Sequence, residues 1–200
     1  MHRPIRQASH VHLLLAAAIS MAMVVPAGAT VIHYRGALNW TNEAAPASPA
    51  TGNVEVTTDD VAHTMFVDAV FGGSAFVNLQ GNTTACHIHA PTAAALTGNA
   101  SVATTTPLFA GFPTGVSSGT YQNLLDMTQS SSYNASFITA NGGTTATAEV
   151  ALFAAIAAGK AYFNVHSTTN PGGEIRAFLQ PFDPTPTVKS TWSRVKGLYK

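Results

Sequence analysis

His87-Ile88-His89 is the stretch of this sequence best suited to do chemistry. Successive side chains of a strand point to opposite faces, so residues two apart share one. Both imidazoles can therefore turn toward one metal ion, while Cys86 and Ile88 point the other way, into the core. A buried Cys in that position behaves as a small apolar residue, not as a ligand. The third candidate is His166, in Asn164-Val165-His166, at the end of a strand that runs into a turn. Three neutral imidazoles suit copper or zinc. An H-x-H also occurs as an ordinary pair of surface histidines, and spacing leaves open whether His166 reaches the other two. His33 and His63 read as surface residues of their strands. Glu174-Ile175-Arg176 is the other charged cluster, with Glu174 and Arg176 on one face. That pair reads either as an ion pair fixing a hairpin or, together with Asn164, as polar groups that orient His166.

The elements that must position these residues are short. Alternating apolar residues between Gly, Pro and Asn signals predict strands over 31–38, 53–58, 63–71, 83–89, 98–105, 120–128, 161–167 and 174–180. The last two form a hairpin across Asn170-Pro171-Gly172-Gly173, which is turn chemistry. Two helices interrupt the pattern. One is expected over 131–139 with a Ser cap. The other is expected over 147–158, capped by Thr145 or Thr147 and stopped by Gly159, with Val150, Phe153, Ala154 and Ala157 packing on the sheet. Many short strands with turn signals between them predict an all-β antiparallel sandwich or barrel with one or two short helices.

Composition narrows the function. Of 200 residues only 9% are charged, against about 25% in an average soluble protein. Nine basic residues balance nine acidic ones, which excludes the basic footprint of a nucleic-acid-binding protein. The single Cys allows no disulfide within the chain. Arg3 and Arg6 precede an apolar run over 13–25, followed by Pro26 and Ala27-Gly28-Ala29. This reads as a signal peptide over 1–29, cut after Ala29, and so as a secreted, periplasmic or cell-surface protein. The run is short against the ~20 residues of a membrane span, and no later segment is apolar enough for one. A single domain over 30–181 follows, then a Pro-containing linker and basic tail over 182–200. In the tail Val188, Trp192, Val195 and Tyr199 recur at helical spacing beside Lys189, Lys196 and Lys200. It reads as a flexible basic tail or as an amphipathic helix that touches a membrane or a partner. There is no P-loop or dinucleotide fingerprint.

Four stretches together resemble the CHRD (chordin-type) domain family, in a form typical of exported bacterial proteins. They are Asn42-Glu43-Ala44-Ala45-Pro46 with Pro49-Ala50-Thr51-Gly52, then His87-Ile88-His89-Ala90-Pro91, then the helix from Ala148-Glu149 to Ala158-Gly159. The most specific runs from Tyr162-Phe163-Asn164-Val165-His166-Ser167 to Asn170-Pro171-Gly172-Gly173-Glu174-Ile175-Arg176. Ala90 stands where the family usually has Gly, and Ala177-Phe178 replaces its usual Gly-Gln. The resemblance implies a Greek-key, immunoglobulin-like fold with distant similarity to copper/zinc superoxide dismutase. It places His87, His89 and His166 on that enzyme's copper-ligand positions. It does not supply the enzyme's bridging His, since no His lies between His89 and His166. The sequence thus points to a non-enzymatic extracytoplasmic binding module for an unidentified protein or surface partner, with His87, His89 and His166 as a candidate copper or zinc site. The competing readings are a copper-dependent superoxide-handling enzyme and a structural surface module without metal.

Overall fold

The structure, a computed structural model, describes residues 30–41, 43 and 47–184. The expected signal segment and residues 185–200 of the tail lie outside the described residues. Among the described residues, eight strands form two antiparallel sheets. They are β1 (Val31–Leu38), β2 (Gly52–Asp59), β3 (Thr64–Phe71), β4 (Thr83–His89), β5 (Gly119–Asp126), β6 (Tyr162–Ser167), β7 (Ile175–Phe178) and β8 (Gln180–Pro181). The larger sheet runs β5-β3-β2-β1-β8 and the smaller β4-β6-β7. The fold is an all-β sandwich, and the chain crosses from one sheet to the other after β3, β4, β5 and β7.

Period-two alternation builds the larger sheet. In β3, Met65, Val67, Ala69 and Phe71 are buried and the residues between them are half-buried. In β2, Val54 and Val56 are buried while Asn53 and Glu55 are exposed. The smaller sheet differs, because every residue of β6 and β7 is buried. One face, with Cys86, Ile88, Phe163, Val165, Ile175 and Ala177, belongs to the apolar core. Phe109, from the loop after β4, joins the sheets by stacking on Phe163 at 6.2 Å and on Tyr121 of β5 at 5.9 Å. The other face carries the histidines.

The expected strand over 98–105 does not form. Only isolated bridges, His89 to Val102 and Thr104 to Tyr133, are made there. The Thr104 hydroxyl accepts the Ile88 N–H at 2.8 Å, and the N–H groups of Ala103 and Thr104 both turn to the Ile88 carbonyl. A side chain in place of a backbone partner stops the ladder from propagating.

Both helices also start elsewhere than expected. Ser130–Ser132 form a single 3-10 turn, and α1 (Ala135–Ala140) begins after Asn134, whose side chain accepts the Ser136 N–H. The cap of α2 (Thr145–Ala157) is Thr144, accepting from the Thr147 N–H. This helix buries Ala148, Glu149, Leu152, Ala155 and Ile156; of the expected stripe Phe153 is half-buried and packs against the core, while Val150 is 71% exposed and Ala154 and Ala157 face water. A helix so rich in Ala is apolar nearly all round, so apolar spacing alone cannot single out the buried stripe.

Replacing Leu152 by Ala should cost about 2–5 kcal/mol in urea unfolding, whereas Val150→Ala should stay within about 0.5 kcal/mol. Equal costs would mean that the helix presents a different face.

Candidate metal centre

The register of β4 against β6 assembles the site. His87 lies opposite Asn164 and His89 opposite Tyr162, with an irregularity between Thr83 and Ala85 that places Ala85 opposite His166. In turn, Asn164 lies opposite Arg176 and Tyr162 opposite Phe178 on β7. Alternation puts all of these side chains on one face of the small sheet. The structure therefore brings the three histidines together. The His87 ring centroid lies 4.6 Å from that of His89 and 4.7 Å from that of His166. One nitrogen from each ring lies within 4.8 Å of the others.

Three backbone carbonyls fix the rings. The Nδ1 atoms of His87, His89 and His166 lie 3.0, 2.7 and 2.9 Å from the carbonyl oxygens of Pro107, Ala100 and Pro171. A carbonyl can only accept, so this hydrogen-bond network assigns the proton of each ring to Nδ1. A neutral imidazole holds one N–H, which leaves a bare lone pair on each Nε2. Those of His87 and His166 face each other at 3.0 Å, and that of His89 is buried with no hydrogen-bond partner among the described residues. Burial drives the pKa of both His87 and His89 down to about 4. The carbonyl hydrogen bonds oppose this, and neighbouring positive charge adds to it. Burial lowers His166 as well. The rings are thus neutral near pH 7, with no proton to bridge the lone pairs.

Such a donor set fits a metal ion. Bonds of ~2.0–2.1 Å in tetrahedral geometry separate the nitrogens by roughly 3.4 Å, a spacing within reach of rings already this close. Metal-binding imidazoles characteristically donate their second nitrogen's proton to a carbonyl or carboxylate. Three ligands leave a fourth position open. Cys86 is fully buried on the opposite face with its thiol pKa raised by burial, as expected of a core residue.

The other charged residues take places the sequence did not indicate. Glu174 and Arg176 do not pair with each other. Glu174 precedes β7 and so escapes its alternation. Its carboxylate accepts from Ser48 Oγ at 2.7 Å, from the Gln80 N–H at 2.6 Å and from the Ser167 hydroxyl. It thereby ties two loops to the end of β6. Arg176 Nε lies 3.8 Å from Glu43 Oε1, and its Nη1 donates to Asn99 Oδ1 at 2.7 Å. Neither residue hydrogen-bonds a cluster histidine, and His166 is oriented by the Pro171 carbonyl instead. Asn164 is buried beside them with its Oδ1 unpartnered.

Sequence reasoning missed Tyr162, stacked on His89, although the alternation Tyr162-Phe163-Asn164-Val165-His166 already placed it on the histidine face. It also missed Glu43, whose carboxyl burial pushes up to about 7 despite the Arg176 charge. Gly173 matters for space as well as for its φ of +127°. A Cβ there would meet Asn164 Nδ2 at 2.7 Å and Glu43 Oε2 at 2.8 Å. His33 is half-buried and bonds the Thr57 hydroxyl at 2.9 Å. His63 is not a strand residue. It occupies the turn before β3 with φ of 53° and contacts the buried Glu149 carboxylate at 3.0 Å.

The depressed imidazole pKa values set a pH dependence for the metal-free protein. Unfolding returns the rings to about 6.5, so between about 6.5 and 4 the unfolded chain binds more protons than the folded one. Stability should be full above that window and fall as pH drops through it. Urea unfolding at a series of pH values checks this, and a His87→Gln variant should show a shallower loss.

A family model for the CHRD domain matches residues 34–179. No curated protein and no solved structure matches the chain. The matched region takes in β2 to β7 and all three histidines of the cluster, and the chain belongs to the CHRD domain family.

Proposed function

We propose that the protein is an exported binding module in which His87, His89 and His166 hold one copper or zinc ion. One observation carries this reading. Each Nδ1–H is committed to a carbonyl, so three Nε2 lone pairs point at one another in a mostly buried site. Left without a cation, the 3.0 Å approach of His87 Nε2 to His166 Nε2 sets two lone pairs against each other.

Bound there, the ion would supply a Lewis acid, or in the case of copper a redox centre, with one position open to a donor from a partner or ligand. The chain's own residues orient the rings and keep water away from them. His87 and His166 are 6% and 9% exposed, which leaves half-buried His89 as the most accessible of the three. A binding role is favoured over superoxide chemistry because no His lies between His89 and His166 to bridge a second metal. Export rests on the sequence of residues 1–29. Among the described residues, no helix is long and apolar enough to cross a membrane.

Metal analysis of the protein purified without its first 29 residues tests the reading. Close to one copper or zinc per chain is expected, and its loss in both His87→Ala and His166→Ala. A folded protein that takes up neither ion on titration would overturn it.

A further inference from the structure

His89 is the ligand whose support is least obvious. His87 and His166 sit on paired strands with their Nε2 atoms in contact. The carbonyl that holds His87 belongs to Pro107, which also accepts the Cys86 N–H of the same strand. The carbonyl that holds His166 lies in the tight turn between β6 and β7. The carbonyl that holds His89 belongs to Ala100, in the segment that fails to form a strand. Backbone ties it to β4 only at the next residue, where the Ser101 carbonyl accepts the Ala90 N–H at 3.1 Å, so the Ala100 peptide itself needs further support.

Three side chains outside the ligand set supply it. Tyr162 stacks on the His89 ring with centroids 4.7 Å apart and planes 9° from parallel. The same residue's hydroxyl lies 3.3 Å from the Ala100 nitrogen, whose N–H it accepts, and 3.5 Å from the Ala100 carbonyl oxygen. One residue thus holds both the face of the His89 ring and the peptide that receives its Nδ1–H. Arg176 closes the loop of contacts. Its guanidinium carbon lies 4.5 Å from the Tyr162 ring centroid, and its Nη1 donates to Asn99, the residue before Ala100. Arg176 is itself pinned by Asn39, whose backbone exchanges two hydrogen bonds with it.

We infer that Tyr162, Arg176 and Asn99 are positioning residues for His89, holding it as the Nδ1–H tautomer with Nε2 turned toward the other two histidines. The circuit runs His89, Ala100, Asn99, Arg176, Tyr162 and back to His89. None of the three touches the ion, so they act through the ring they hold. The effect on metal rests on the metal-site reading, whereas the effect on the His89 tautomer does not.

Asn99 makes the clean test, because it is exposed and its replacement removes no core contact. Zinc affinity, measured by chelator competition, should fall about 10-fold in Asn99→Ala and in Tyr162→Phe, as when the partner of a ligating histidine is removed. Asn99→Asp, which keeps an acceptor for Arg176, should restore it. In the metal-free protein, nitrogen NMR of the imidazoles should show His89 alone gaining Nε2–H tautomer in Asn99→Ala, with His87 and His166 unchanged. Zinc affinity within twofold of the parent together with an unchanged His89 tautomer in both Asn99→Ala and Tyr162→Phe would overturn the inference. If the parent binds no metal, the metal-site reading fails while the tautomer measurement still decides this one.

Discussion

The site depends on three hydrogen bonds that run away from its centre. A neutral imidazole has one proton to place, and each of these rings gives it to a backbone carbonyl. The inward nitrogens are left as acceptors with nothing among the described residues to accept from. Side chains have rotamers to choose from, but the carbonyls of Ala100 and Pro107 are fixed by the path of the long β4–β5 connection and that of Pro171 by the β6–β7 turn. The loops around the smaller sheet are therefore part of the site, and the β4–β6 register is what lets all three bonds form together.

A chain with so few charges uses the ones in this region sparingly. Unpaired buried charge is costly, and each buried charged residue here has a defined contact. Glu174 draws Ser48, Gln80 and Ser167 onto one carboxylate. Arg176 lies among Glu43, Asn99 and the Tyr162 ring. Glu149, turned into the core by α2, meets His63. Gly36 belongs to the same economy of space. A Cβ on it would come within 2.6 Å of Ala177 Cβ, so its absence lets β1 close against β7, where the Asn39 backbone holds Arg176.

Much of this was legible in the sequence because strand alternation is a local rule. It placed His87 and His89 on one face with Cys86 and Ile88 on the other, and it marked most strands within a residue or two. What lay beyond it was set by contacts distant in sequence. The strand over 98–105 was lost to the Thr104 hydroxyl, and pattern alone does not tell which polar side chain will replace a backbone partner. Of the face expected to pack in α2 only Phe153 does so, because Ala-rich helices carry little directional signal. The supposed Glu174–Arg176 pair assumed that alternation began one residue before the strand does. Tyr162 was within reach, two positions from Asn164 and four from His166, but an aromatic in a strand reads as core until its neighbour across the sheet is known.

The central claim is that three imidazole nitrogens, and no sulfur, form the protein's share of a metal centre. X-ray absorption on the copper- or zinc-loaded protein tests it most directly. The account predicts a first shell of nitrogen at ~2.0–2.1 Å with the outer-shell scattering of three imidazoles and one further light atom. A sulfur scatterer at ~2.3 Å, or a shell of oxygen with no imidazole signature, would contradict it.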